Sequence, residues 1–190
     1  MDNVIVLTFR GSDRARASLG ALRRIHDAGE IRLQAVAVVE RMEDGRPVVI
    51  DQAEDVQVTA TAAGGVIGGI IGLAGGPAGL LIGGATGAVV GSLVHIAEVE
   101  SSDDVLRTFT SAVPRGYAAT VAVVDEPAPA PVDALAAEFG VEPLRRARAE
   151  VESEIAEAEE AAIARRRDDQ AEHTIRDQLR DLKDGFMDRR

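Results

Sequence analysis

Residues 62–91 read AAGGVIGGIIGLAGGPAGLLIGGATGAVVG and lie inside an uncharged run, residues 56–97, that holds twelve glycines. A residue that recurs every fourth position follows one stripe of an α-helix. Because Pro77 and the glycines before it interrupt the pattern, the sequence predicts two helices joined by a turn, a glycine-zipper hairpin. The helix-packing and oligomerisation stripe comprises Gly64, Gly68, Gly72 and Gly76 in the first arm and Gly79, Gly83, Gly87 and Gly91 in the second.

Each glycine costs a helix about 1 kcal/mol relative to alanine, so close packing must offset the loss. Small residues at this spacing allow two helix backbones to approach closely. If the glycine sides face each other, the bulky sides point outward and need lipid, another subunit or the chain's own sheet to cover them. We expect lipid- or subunit-facing positions at Val66, Ile67, Ile70, Ile71, Leu73, Leu81, Ile82, Val89 and Leu93.

The length of the two arms bears on contact with a membrane. A helix needs about 20 residues to cross the hydrocarbon core of a bilayer. The first arm would reach only about 24 Å and the second about 30 Å at 1.5 Å per residue. A spanning hairpin is therefore marginal, and burial against copies of the same chain is the alternative.

The segments on both sides of the hairpin are typical of one α+β domain. Residues 1–55 predict the order β-α-β-β, with an Asp44-Gly45 turn between the last two strands. We expect Ser12 or Asp13 to cap the helix and Gly29 to end it. The second strand, residues 31–39, should place four alternating residues on one face: Leu33, Ala35, Ala37 and Val39. Residues 98–148 predict α-β-α-β. Two such halves sharing an antiparallel sheet indicate a ferredoxin-like sandwich with the hairpin (residues 56–97) inserted between them.

Residues 149–190 predict a charged helical tail. Val151, Ile155, Ala158 and Ala162 keep helical spacing and form a first apolar stripe. This tail could pair with a partner helix or another subunit, or it could pack one face on its own domain. The second stripe, our candidate partner-helix surface, comprises Ile175, Leu179, Leu182 and Phe186.

Three segments together resemble a known family. They are DRARASLGALRRIHDAGEIRLQAVAVVERMEDGRPVV (residues 13–49), the glycine-zipper hairpin, and SSDDVLRTF (101–109) with AVPRGYAATVAVVDE (112–126). The chain is similar over residues 3–148 to the bacterial "domain of unknown function 1269" proteins, which are usually described as membrane proteins. The resemblance implies membrane association and supplies no catalytic residues.

Composition and motifs argue against several functional classes. A net charge of −11 disfavours binding to nucleic acid, and the absence of cysteine excludes thiol chemistry and cysteine metal sites. The glycines form neither G-x-G-x-x-G nor a P-loop. The three histidines lie in different segments without metal-ligand spacing. We expect no catalytic, cofactor-binding or metal site, and hence no enzyme.

We therefore expect a non-enzymatic structural protein that associates with membrane and with copies of itself through the hairpin. The chain shows no secretory signal, so we expect it in the cytoplasm, including the cytoplasmic face of the inner membrane. One alternative is a soluble homo-oligomeric ring, filament or shell with zippers packed between subunits. Another is a small-ligand-sensing α+β module.

Overall fold

The computed structural model describes residues 1–45, 47–52, 62–74, 112–161 and 163–164. These residues form an α+β fold with a five-stranded antiparallel sheet and four helices. The strands are β1 (Asp2–Phe9), β2 (Arg32–Arg41), β3 (Pro47–Gln52), β4 (Ala118–Asp125) and β5 (Leu144–Ala147). The helices are α1 (Ser12–Asp27), α2 (Ala62–Ala74), α3 (Ala130–Glu138) and α4 (residues 148–161).

The strands lie in the order β3-β2-β4-β1-β5, and every neighbouring pair is antiparallel. The β1-α1-β2 and β4-α3-β5 units each skip one strand, so that the two units interleave. β4 from the second half thereby sits between β1 and β2 from the first half. The segments before and after residues 56–97 thus contribute strands to one sheet.

Both faces of the sheet are covered. Alternate residues of the central strands point to opposite faces, as the period of a β-strand requires. On one face, α1 and α3 pack over Ile5, Leu7 and Phe9 of β1. On the other, which we call the α2–α4 face, α2 and α4 pack over Val4 and Val6 of β1 and over Ala119, Val121 and Val123 of β4.

Several local predictions are confirmed. The Asp44-Gly45 turn joins β2 to β3, and Gly45 adopts a φ of +87° that a side chain would disfavour. Gly29, at φ +75°, follows the end of α1. The short edge strand predicted near residue 144 forms as β5.

Two local predictions are wrong. We expected Leu33 to share a face with Ala35, but the register between β2 and β4 shifts between these residues, and Leu33 packs on the α1–α3 side. A β-bulge moves the following side chains to the opposite face. Neither Ser12 nor Asp13 caps α1, because the N-cap position is Gly11 and no side chain makes a capping hydrogen bond.

Candidate functional site

The apolar side of α2 packs against the sheet of its own chain. Val66, Ile67, Ile70 and Ile71 are between 3 % and 7 % exposed and share one cluster with Ala37 and the other core residues of the α2–α4 face. The expectation that these four side chains face lipid or another subunit is therefore corrected. The sheet covers them with the apolar side chains of its α2–α4 face, among them Val39 and Val121.

The packing also explains why a glycine-rich segment is helical. α2 contains five glycines in thirteen residues, each of which costs about 1 kcal/mol relative to alanine. Burial of each Val or Ile side chain returns about 1.5–3 kcal/mol. α2 is therefore a helix that depends on its tertiary contacts.

The predicted glycine stripe begins on α2. Since each residue turns the helix by about 100°, Gly68 and Gly72 fall on the side away from the four core side chains, whereas Gly64 falls beside Ile71. Gly68 and Gly72 are buried. Gly65 differs, because a Cβ added there would meet nothing within 4 Å.

The remaining predicted site residues lie outside the described part of the chain or lack a described side chain. Leu73 is in the last turn of α2, but its side chain is not described. Outside the described residues are the zipper positions Gly76, Gly79, Gly83, Gly87 and Gly91, the outward positions Leu81, Ile82, Val89 and Leu93, and the partner-helix stripe Ile175, Leu179, Leu182 and Phe186. These stay predictions.

α4 crosses α2 at a point that the stripe analysis did not single out, Gly69. A Cβ added to Gly69 would lie 2.8 Å from both Cδ1 and Cγ2 of Ile155. A Cβ fits there only if Ile155 moves, so Ile155 packs directly on the backbone of α2. The only sequence signal for the contact was that Gly69 belongs to the glycine-rich half of the arm.

Three residues of the first apolar stripe of the tail pack on their own domain, and the fourth, Ala162, lies outside the described residues. Val151, Ile155 and Ala158 are buried on the α2–α4 face together with Val66 and Ile70. This part of the tail therefore packs one face on its own domain, which is the second of the two alternatives considered for it.

On the polar side of α4, ion pairs connect the helix to the sheet. Arg146 of β5 donates two hydrogen bonds to the carboxylate of Glu154, of 2.9 Å and 2.6 Å, and also lies 3.5 Å from Glu150. The hydrogen bond to Glu154 raises the pKa of Arg146 above its ordinary value. Such a bidentate contact fixes the relative orientation of the two side chains as well as their distance.

Arg148, the first residue of α4, makes a second set of contacts. Its Nε donates a 2.6 Å hydrogen bond to Glu152, and its Nη1 donates a 2.7 Å bond to Gln34 of β2. The same guanidinium lies 4.0 Å from Asp2 of β1. The start of α4 is thereby tied to two strands. The i, i+4 spacing of Arg148 and Glu152 was visible in the sequence, whereas the contacts with β1 and β2 were not.

A different polar cluster lies at the loop between β2 and β3. Arg41 donates from Nε to the carbonyl of Gly45 and from Nη1 to the carbonyl of Val113, each at 3.2 Å. Burial lowers the pKa of Arg41, and the nearby charge of Arg115 lowers it further. These contacts connect the loop between β2 and β3 to the segment that precedes β4.

The described residues hold no group of three or more His, Asp or Glu side chains placed to bind a metal ion. Within the same residues, no helix has both the length and the apolar character needed to cross a membrane. The geometry around α2 and α4 is that of a packing surface.

The chain matches no protein-family model, no curated protein and no solved structure.

Proposed function

We propose that this is a non-enzymatic, self-assembling protein that associates with copies of itself through the hairpin whose first arm is α2. The observation that carries the proposal is the division of α2 into two sides. Val66, Ile67, Ile70 and Ile71 fix it to the sheet, while Gly68 and Gly72 form a bare, buried stripe on the side away from the sheet. A bare stripe on an anchored helix suits contact with a second helix.

We propose that the scaffold for this hairpin is a ferredoxin-like sandwich with β3 as an added edge strand. The interleaved β1-α1-β2 and β4-α3-β5 units and the order β2-β4-β1-β5 support this proposal. In such a scaffold the hairpin enters after β3, at one edge of the sheet. The insertion then needs no change in the pairing of the four central strands.

A second candidate function is association with a membrane. It is favoured by the uncharged run of residues 56–97 and by the resemblance to the domain of unknown function 1269 proteins. Since the apolar side of α2 packs on the sheet, lipid contact would come from the part of the hairpin outside the described residues. Flotation of the full chain with liposomes in high salt tests it: co-flotation supports lipid insertion, and protein left at the bottom of the gradient argues against it.

The test of self-association uses two glycines of the same helix. Gly68→Leu places a bulky side chain on the buried stripe, whereas Gly65→Leu places the same side chain where nothing lies within 4 Å. We expect Gly68→Leu to reduce the mass of the assembly measured by light scattering and Gly65→Leu to leave it unchanged. Far-UV circular dichroism confirms that each variant is folded, and Gly68→Ala is the milder substitute if Gly68→Leu is not. Equal masses for all variants would contradict the proposal.

A further inference from the structure

α1 carries exposed arginines on its outer side. Leu19 and Leu22 pack on the sheet, so residues 16, 20 and 24 fall on the opposite side of the helix at about 100° per residue. Arg16 and Arg24 are exposed there, with Gly20 between them. A Cβ added to Gly20 would meet nothing within 4 Å, so the space above the middle of the row is open. We call Arg16, Gly20 and Arg24 the basic row.

α4 carries exposed glutamates on its outer side. Val151 and Ile155 pack on the sheet, so residues 150, 153 and 157 fall on the side that faces away from it. The side chain of Glu150 is 63 % exposed, and Ser153 and Glu157 are exposed as well. We call Glu150, Ser153 and Glu157 the acidic row.

The charges of both rows are only weakly neutralised within the chain. Arg16 lies 3.6 Å from Asp13 and 3.9 Å from Asp51, in pairs whose side chains are all more than 40 % exposed. Among the described residues, no carboxylate lies within ion-pair distance of Arg24, and no cation lies within that distance of Glu157. Exposed pairs contribute little free energy, so either row can exchange them for a partner of opposite charge.

We propose that the basic row of one copy docks on the acidic row of another copy, so that copies of this chain associate head to tail. The complementary row is carried by the chain itself and is therefore present at the same concentration as the basic row. α1 and α4 lie on opposite faces of the sheet. A copy that is bound through one row thus keeps the other row free, and the contact extends into a stack or a ring instead of closing as a dimer.

The spacing of the charges matches in the two rows. Arg16 and Arg24 are eight residues apart, which is about 12 Å along a helix, and Glu150 and Glu157 are seven apart, which is about 10.5 Å. The small residue in the middle of each row lets the two helices approach closely. A contact limited to one helix from each copy is smaller than the roughly 1,200 Å² of a stable interface, so the association is weak and depends on its charges. It needs no residue of the hairpin.

The experiment reverses each row in the full chain. Arg16→Glu/Arg24→Glu makes both rows acidic, and Glu150→Arg/Glu157→Arg makes both rows basic. At about 0.1 M salt, sedimentation velocity should show that each variant alone associates at least about tenfold more weakly than the unsubstituted chain, because like charges meet. An equal mixture of the two variants should recover the association, because every row then finds a row of opposite sign on the other variant. Far-UV circular dichroism confirms that each variant is folded.

The absence of cysteine from the chain allows a second measurement that keeps all four charges. Gly20→Cys in one copy and Ser153→Cys in another should form a disulfide when the two variants are mixed at about 0.1 M salt. About 1 M salt should slow its formation at least about tenfold, because the Debye length falls from about 10 Å to about 3 Å. Ala134→Cys, at an exposed position on α3, is the matched control for Gly20→Cys.

The outcomes separate this contact from the hairpin and from a membrane. Recovery in the mixture and a cross-link between positions 20 and 153 that outpaces the control support head-to-tail docking. A mixture that stays dissociated, or a cross-link that forms equally fast with Ala134→Cys, overturns it. Binding to phosphatidylserine vesicles that Arg16→Glu/Arg24→Glu abolishes, without recovery in the mixture, also overturns it and assigns the basic row to a membrane. Gly68→Leu changes neither row, so an assembly that it leaves intact contradicts the hairpin proposal alone.

Discussion

The Nε of Arg145 on β5 donates a 2.6 Å hydrogen bond to Oε1 of Glu126, a carboxylate that is only 2 % exposed. Asn3 of β1 donates a 2.8 Å bond to the same oxygen, and Arg145 also bonds to Asp133 of α3 at 2.8 Å. Burial lowers the pKa of Arg145, but the hydrogen bonds to Glu126 and Asp133 outweigh it, so that the pKa is raised. The Arg145–Glu126 pair thus links β1, β5 and α3 to the residue that follows β4.

Arg145→Met should destabilise the fold by about 3 kcal/mol, because it leaves the buried carboxylate of Glu126 without its cation. Arg16→Met is the control, since Arg16 lies 3.9 Å from Asp51 in a pair that is more than 40 % exposed on both sides. We expect the control to cost less than about 0.5 kcal/mol. Urea denaturation gives both values, and similar losses in the two variants would contradict this account of Glu126.

A buried pair of hydroxyl groups fastens α1 to β4. Ser18 Oγ and Thr120 Oγ1 lie 2.7 Å apart, and each is 2.8 Å from the carbonyl oxygen of Ala15. Ser18→Ala and Thr120→Val should each cost about 1 kcal/mol, because each removes one buried hydrogen bond to the carbonyl of Ala15 while the other hydroxyl keeps its own. The double variant should cost about 1 kcal/mol less than the sum of the two single losses, because the contact between the two hydroxyl groups can be lost only once. Full additivity in a denaturant double-mutant cycle would show that the two groups act independently.

The contact between the Met1 amine and Asp125 predicts opposite shifts in two titrations. The amine donates a 2.9 Å hydrogen bond to Oδ1, which lowers the pKa of Asp125 below its ordinary value of 3.8 and raises the pKa of the amine above 8.0. The contribution of Asp125 to stability is present above pH 3.8 and is lost as the pH falls through its lowered pKa. The contribution of the amine is present below pH 8.0 and is lost as the pH rises through its raised pKa.

Titration followed by NMR measures both values. Asp125→Asn should return the pKa of the amine towards 8.0, because that hydrogen bond is the largest cause of its shift. An Asp125 carboxyl that titrates at or above 3.8 in the unsubstituted chain would rule the contact out.

Ile70→Asp distinguishes packing on the sheet from exposure to lipid. Because Ile70 is 3 % exposed in the core of the α2–α4 face, a carboxylate there should destabilise the fold by more than about 4 kcal/mol. Val48→Asp, at a position that is 40 % exposed on β3, should cost less than about 1 kcal/mol. Thermal unfolding compares the two. Equal stability would mean that α2 does not pack on the sheet in solution.

The sequence predicted the α+β class because its signals are local. Alternating apolar residues predict the central strands, and Asp44-Gly45 predicts the turn between β2 and β3 without reference to the rest of the chain. The prediction of the face of Leu33 was wrong because that face depends on a non-local contact. The shift in β2 arises from its pairing with β4, which lies far along the chain, and alternation within β2 cannot reveal it.

The candidate site was only half predictable for the same reason. The composition of α2 required that the side carrying Ile70 be covered, but several surfaces could cover it. The chain's own sheet covers this side, and it can do so only because distant segments of the chain pack together. The contact between Ile155 and Gly69 is one example. The Arg146–Glu154 pair likewise forms because α4 folds back beside β5.

Sedimentation velocity of the unsubstituted full chain over a range of concentrations is the most direct test of self-association through the hairpin. The account predicts a species of several copies, which Gly68→Leu converts to smaller ones while Gly65→Leu does not. A folded monomer at every concentration, in the absence of lipid and detergent and also with vesicles present, would contradict it.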